Sequence, residues 1–184
     1  IKSAVAVLAS RIIQVRSTRG SVEMALNEIE QDPGNSAYMV ESLYDVTISP
    51  NILFHIGFGD EPIRCVGITD QRLSSQLIHQ GNVFPSKSVL LAPMLEAGQR
   101  FSRWIQSEGY YGIVGYDFCE YVDRKSGKVS FFLAEINPRI NGSVYPLALI
   151  QNLNMRTAMP VKSFLSAKWL KINVRSFGEM KERF

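Results

Sequence analysis

Cysteine and histidine are scarce in this chain of 184 residues: Cys65, Cys119, His55 and His79 are all it has. Two cysteines are too few for a disulfide framework, and neither lies in a CxxC or zinc-ligand spacing. Both are expected to be small buried hydrophobes in a reducing compartment. No apolar run approaches the roughly 18 residues that span a bilayer. Neither charge dominates: 20 Lys and Arg against 17 Asp and Glu leave +3, too diffuse a surplus for a nucleic-acid footprint. Internal repeats and low-complexity linkers are absent. The first ten residues, Ile1 to Ser10, have the charge and apolar middle of a signal-peptide core, but they fit better as the opening strand and loop of the fold described below. The chain starts with Ile and is expected to be a piece of something longer. What is present is an ordinary globular balance, 46% hydrophobic and 20% charged, enough for one domain or two small ones.

Strand and helix signals alternate along the chain. Residues 11–16 are short and β-branched, which predicts a strand. Val22, Ala25, Leu26 and Ile29 recur at helical spacing over 22–31 and are stopped by Asp32-Pro33-Gly34-Asn35. Strands are predicted over 37–44, 51–58 and 63–69, the last two joined at Gly59-Asp60-Glu61-Pro62. The polar stretch 70–87 reads as a loop with some short structure. The longest helix is expected over 88–107, with Leu91, Leu95, Phe101, Trp104 and Ile105 broadly on one side and Gly109 ending it. Strands over 111–122 and 129–137 flank a turn at 123–128. A helix near 144–152 and a terminal element from Met159 complete the reading.

The hairpin over 111–137 carries the chemistry. Folded symmetrically about its turn, it sets Asp117 opposite Glu135, with Asn137 two residues further along the same face. Opposed side chains in an antiparallel pair have Cβ atoms roughly 5 Å apart. Two carboxylates that close repel unless a proton or a cation lies between them. Two acids and an amide oxygen form a hard ligand set suited to Mg²⁺ or Mn²⁺. Magnesium held this way usually completes its shell with phosphate oxygens, which points to a nucleoside triphosphate. Glu135 is also expected to follow Val129, Phe131 and Leu133 on one face. A slip of one residue would put Glu135 on the other face from Asp117, leaving a solvated sheet with scattered acids.

The segments Gly115-Tyr116-Asp117-Phe118 and Phe132-Leu133-Ala134-Glu135-Ile136-Asn137-Pro138-Arg139-Ile140-Asn141-Gly142-Ser143 resemble the metal-binding part of ATP-grasp enzymes. Gly81-Asn82-Val83-Phe84-Pro85 ahead of a long helix resembles the carboxylate–amine ligase branch, and within it the pheganomycin-type peptide ligases. The resemblance implies an α+β fold, with a small subdomain over 1–43 closing on a larger one over 44–184 and ATP between them. It implies Asp117, Glu135 and Asn137 as metal ligands and Arg139 at the γ-phosphate or an acyl phosphate, where a planar guanidinium pairs with oxyanions. Lys2 would contact phosphate. Glu41, with the neighbouring main chain of Ser42 and Leu43, would meet the adenine, and Asp45 the ribose.

The implied activity is an ATP- and Mg²⁺-dependent ligase. It would join a small-molecule carboxylate to an amine, an amino acid or peptide, through an acyl phosphate, with release of ADP and phosphate. No nucleic-acid or membrane partner is expected, and the location is expected to be cytoplasmic. Against the pattern, Ser3-Ala4-Val5-Ala6-Val7-Leu8-Ala9 contains no glycine, where the family closes a glycine-rich loop over phosphates. The chain would also lack an N-terminal ATP-grasp part. Two alternatives stand beside the ligase: a small-molecule kinase on the same fold, and a degenerate nucleotide-binding module. His55, between Phe54 and Ile56, reads as structural. His79 near a loop and Arg72 are candidates for substrate contact.

Overall fold

The computed structural model describes residues 2–3, 13, 15, 18–31, 38–42, 44–74, 78–158, 160–166, 176 and 178–179. Their order is β1 (Lys2–Ser3), α1 (Arg19–Glu30), β2 (Tyr38–Met39), β3 (Val46–Ile48), β4 (Pro50–Ile56), β5 (Arg64–Leu73), β6 (His79–Phe84), α2 (Leu91–Ser107), β7 (Gly112–Val122), β8 (Val129–Asn137), α3 (Val144–Arg156) and β9 (Phe164–Leu165). This is the expected α+β class. Strands β1 and β2 pair antiparallel in a sheet of their own. The other seven form one antiparallel sheet in which β7 lies between β8 on one side and β3 and β4 on the other, followed by β5, β6 and β9.

The core lies between this sheet and α2. Ile52, Phe54 and Ile56 of β4 and Val114, Tyr116 and Phe118 of β7 point to one face and bury with Met94 of the helix. Alternation along a strand dictates this: every second residue shares a face. Helix α2 packs differently from the sequence expectation. Its buried positions are Met94, Gly98 and Ser102, one residue per turn, while Phe101 and Trp104 remain 37% and 56% exposed. The small residues let the helix approach closely. A Cβ on Gly98 would fall 2.7 Å from Phe54 Cε2, and Ser102 Oγ and Tyr116 Oη hydrogen-bond at 2.9 Å.

Two buried carboxylates on the same face brace the loop into α2. Asp70 accepts from Ser86 Oγ at 2.5 Å and from the Lys87 backbone N–H at 2.7 Å. Glu120 accepts from Ser88 Oγ at 2.5 Å and from the Val89 backbone N–H at 3.1 Å. On the opposite face, α3 packs Leu147 over Gly67, where a Cβ would meet Leu147 Cδ1 at 2.7 Å.

Several sequence expectations change. Helix α1 begins at Arg19, one turn early, and α3 runs on to Arg156. The strand expected over 37–44 is confined to Tyr38–Met39, with β3 following at Val46–Ile48. The loop expected over 70–87 is instead the end of β5 and all of β6. Its polar residues are strand residues whose partners lie on neighbouring elements. The strand expected over 11–16 falls largely outside the described residues, as does most of the tail after 166. Neither cysteine forms a disulfide; Cys119 is half-buried and Cys65 exposed, so Cys65 is not the buried hydrophobe expected.

Candidate metal centre

The face of the sheet away from α2 is polar where β4, β5, β7 and β8 cross. Backbone register sets Thr69 beside Asn51, Asn51 beside Asp117, and Asp117 beside Glu135. The next row on this face runs Gly67, Leu53, Gly115, Asn137. Asp117, Glu135 and Asn137 therefore share one face, as expected, but not by the expected route. Near the turn Val122 pairs with Val129; continued without interruption, that register would set Asp117 opposite Ala134. The register shifts between Asp117 and Phe118, and the extra residue on β8 brings Glu135 across. Such a bulge also changes the phase of the strand. Phe131, Leu133 and Ile136 all pack on the core, so Glu135 does not continue the row of Phe131 and Leu133. It lies on the opposite face, with Asp117.

Asp117 is held by carboxamides. Asn51 Nδ2 donates a short hydrogen bond to its Oδ1, and Asn137 Nδ2 donates to its Oδ2 at 3.0 Å. Burial pushes the Asp117 carboxyl above the usual carboxylate range. Hydrogen bonds from Asn51 and Gln71 act against the rise, Glu135 adds to it, and His79 lowers it. Asn137 has its orientation fixed by its partners. A carboxylate only accepts and a guanidinium only donates, so the amide nitrogen faces Asp117 and Oδ1 accepts from the Arg139 guanidinium at 2.8 Å. Arg139 is thus tethered beside the paired acids.

Around this centre lies a second set of polar groups that sequence reasoning passed over. Gly115 opens a notch: a Cβ there would fall 2.1 Å from Asn141 Nδ2 and 3.1 Å from Asn51 Nδ2. Asn141 Oδ1 accepts from the Ser143 backbone N–H at 3.1 Å. Asn82 Oδ1 meets Thr69 Oγ1 at 3.3 Å, His79 Nε2 at 3.3 Å and Ser143 Oγ at 3.2 Å. These bonds fasten the segment carrying Arg139 to β5 and β6. The signal for Asn51 was a carboxamide opening an apolar strand, Asn51-Ile52-Leu53-Phe54; for Asn82 it was masked by a loop-like composition.

Lys2 pairs by its backbone with Met39. Glu41 and Ser42 are exposed, and Leu43 lies outside the described residues. Asp45 is engaged by Arg124, whose Nε and Nη2 approach Oδ2 at 2.8 and 2.5 Å. His55 is exposed, on the face away from Phe54 and Ile56.

The donor set fits a hard divalent cation. Two acids face each other, one of them in a desolvated position, and the neighbouring donors are carboxamides. Among the described residues no three His, Cys, Asp or Glu side chains converge. No helix among them is long and apolar enough to cross a membrane.

No family model matches the sequence, and no curated protein matches it. Solved structures do. The crystal structure of N5-carboxyaminoimidazole synthetase from Staphylococcus aureus, complexed with ADP, is similar over 71% of this chain at TM-score 0.51 and 17% identity. The biotin carboxylase domain of a thermophilic 2-oxoglutarate carboxylase, bound to bicarbonate, is similar over 73% at TM-score 0.54 and 17% identity. An ATP-grasp superfamily protein from Archaeoglobus fulgidus matches more loosely, over 61% of this chain and 32% of its own, at TM-score 0.41 and 18% identity. The matched parts are 32% and 30% of the first two structures, so this chain spans about a third of their length. Likeness at such identity speaks to fold, and function resides in the site grafted on it. The likeness shows that this chain shares its fold with these two structures over 71% and 73% of its length.

Proposed function

We propose that the chain is part of an ATP- and Mg²⁺-dependent carboxylate–amine ligase that forms an amide or peptide bond and releases ADP and phosphate. One observation carries this reading: on an ATP-grasp fold, Asp117 faces Glu135 across β7 and β8, with Asn137 alongside and Arg139 bonded to it. Asp117, Glu135 and Asn137 would hold Mg²⁺, or Mn²⁺, which supplies neutralisation of the triphosphate charge. Arg139 would donate to an oxyanion of the γ-phosphoryl group, exchanging the Asn137 carbonyl for a charged acceptor. The substrate carboxylate attacks phosphorus and ADP leaves. The amine then attacks the acyl carbon, phosphate leaves, and the amine loses a proton. No side-chain nucleophile is needed; positioning and charge stabilisation do the catalysis.

In this reading residues 1–43 and 44–184 are the two ATP-grasp subdomains, with the nucleotide between them. Lys2 reaches phosphate, and Glu41, Ser42 and Leu43 meet the adenine. Asp45 takes the ribose only by parting from Arg124. The substrates are a small-molecule acid and amine, an amino acid or peptide among them, and the supply of ATP puts the reaction in the cytoplasm. A further ATP-grasp part would complete the enzyme.

Incubation of the full protein with ATP, Mg²⁺, hydroxylamine and a panel of amino acids tests the scheme. The expected outcome is acid-dependent release of ADP and phosphate, with a hydroxamate trapped. AMP with pyrophosphate contradicts it. A stable phosphorylated product that hydroxylamine does not intercept would make the protein a kinase.

A further inference from the structure

Asn51 is fully buried, and its two polar atoms are treated unequally. Its Nδ2 donates to Asp117. Its Oδ1 is the one buried side-chain oxygen or nitrogen atom without a hydrogen-bond partner among the described residues. A buried acceptor left unpaired costs about 1–3 kcal/mol. Flipping the amide would not remove the problem, because Oδ1 would then oppose the Asp117 carboxylate. The position is also not one the fold needs to be polar. Leu53, two residues along the same face of β4, is fully buried and apolar, and an asparagine is a poor strand former.

What singles out Asn51 is its place in the row. It is the direct cross-strand neighbour of Asp117, which is in turn the direct neighbour of Glu135. Asp117 is thus bracketed by two carboxamides, Asn137 on one oxygen and Asn51 on the other. A hard cation at the paired acids is the species that accepts a neutral carbonyl oxygen as readily as a carboxylate.

Resting on the reading above that a divalent cation binds here, we infer that Asn51 is a fourth side chain of that site. Its amide nitrogen positions Asp117, and its carbonyl oxygen gains a partner when the cation binds. The group outside a metal's immediate ligands commonly sets affinity by 10–100-fold, and Asn51 is placed to contribute at that scale.

The test is Mn²⁺ binding to the full protein, followed by the electron paramagnetic resonance of free Mn²⁺, without turnover. Asn51→Leu removes both polar atoms and should weaken Mn²⁺ binding about 10–100-fold. Asn51→Asp keeps the shape and turns the unpaired oxygen into a charged one. It should bind Mn²⁺ more tightly than Asn51→Leu, and Mn²⁺ should raise its melting temperature more than that of the wild type. If Asn51 serves only to hold Asp117, the order reverses, because Asn51→Asp adds repulsion; that result overturns the inference. Should either variant fold poorly, the wild type still decides. Mg²⁺ should shift the side-chain amide resonance of Asn51, and an unmoved resonance overturns the inference. Wild-type binding that is lost in Asp117→Asn but unchanged in both Asn51 variants refutes the role of Asn51 alone. Absence of wild-type binding refutes the cation site itself.

Discussion

The two faces of the large sheet use acids in opposite ways. On the α2 face, Glu120 and Asp70 each accept from a serine hydroxyl and a backbone N–H of the segment 86–89. Each is a lone negative charge ringed by donors, and its effect is to fix a loop. On the other face Asp117 accepts from carboxamides and looks across at a second carboxylate. The same strand, β7, carries Glu120 and Asp117 three residues apart, so strand alternation alone sends one to each environment. A satisfied buried acid is a structural device, whereas two acids that face each other repel until a proton or a cation lies between them.

The largest expected effects break the polar face. Asp117→Asn should reduce Mg²⁺-dependent nucleotide binding by 100-fold or more, about 2.7 kcal/mol, while the metal-free melting temperature changes little. Glu120→Ala should do the reverse. It leaves the Val89 N–H without an acceptor and Ser88 Oγ with only Met94 Sδ at 3.8 Å, at about 2 kcal/mol, which for a chain of this size lowers the melting temperature by roughly 4–8 °C. Nucleotide binding by the folded fraction should persist. A binding defect in Glu120→Ala as deep as that of Asp117→Asn would erase the distinction between the faces.

Gly115→Ala sharpens it further. The added methyl collides with the carboxamides of Asn141 and Asn51, at about 1–3 kcal/mol. Its effect should be to displace Asn51 from Asp117 and weaken Mn²⁺ binding, readable by the same titration. The smallest effect is expected at the turn. Hydrogen bonds from the Ser126 side chain and backbone, and from the Lys125 backbone, hold the Asp123 carboxyl below the usual carboxylate range. An acid with a lowered folded pKa stabilises fully above its ordinary value, and the contribution is lost as pH falls through the folded value. Asp123→Ala should therefore lower the melting temperature slightly at neutral pH, and the difference should vanish in strong acid. Metal affinity at pH 7 should not change.

Much of this was legible in the residues and some was not. The hairpin, its turn and the trio of Asp117, Glu135 and Asn137 follow from alternation and motif. The bulge does not, because alternation presumes a regular ladder; Phe131, Leu133 and Ile136 reveal it only once their common burial is known. The end of β5 and all of β6 were hidden because Asp70, Gln71 and Asn82 look solvated in sequence, and partners such as Ser86 for Asp70 and Ser143 for Asn82 lie 16 and 61 residues away. Helix α2 was found, and Leu95 and Ile105 pack on the core as expected, but Phe101 and Trp104 stay exposed and the buried positions are Met94, Gly98 and Ser102. Gly98 and Ser102 bury through close approach, which hydrophobic periodicity cannot register.

The most direct test of the cation-dependent site is calorimetric titration of a non-hydrolysable ATP analogue into the full protein, with and without Mg²⁺. The wild type is compared with a Glu135→Gln/Asn137→Ala double variant. Binding that requires Mg²⁺ in the wild type and is lost in the variant is the result predicted. Binding of equal strength with and without Mg²⁺, unchanged in the variant, would contradict it.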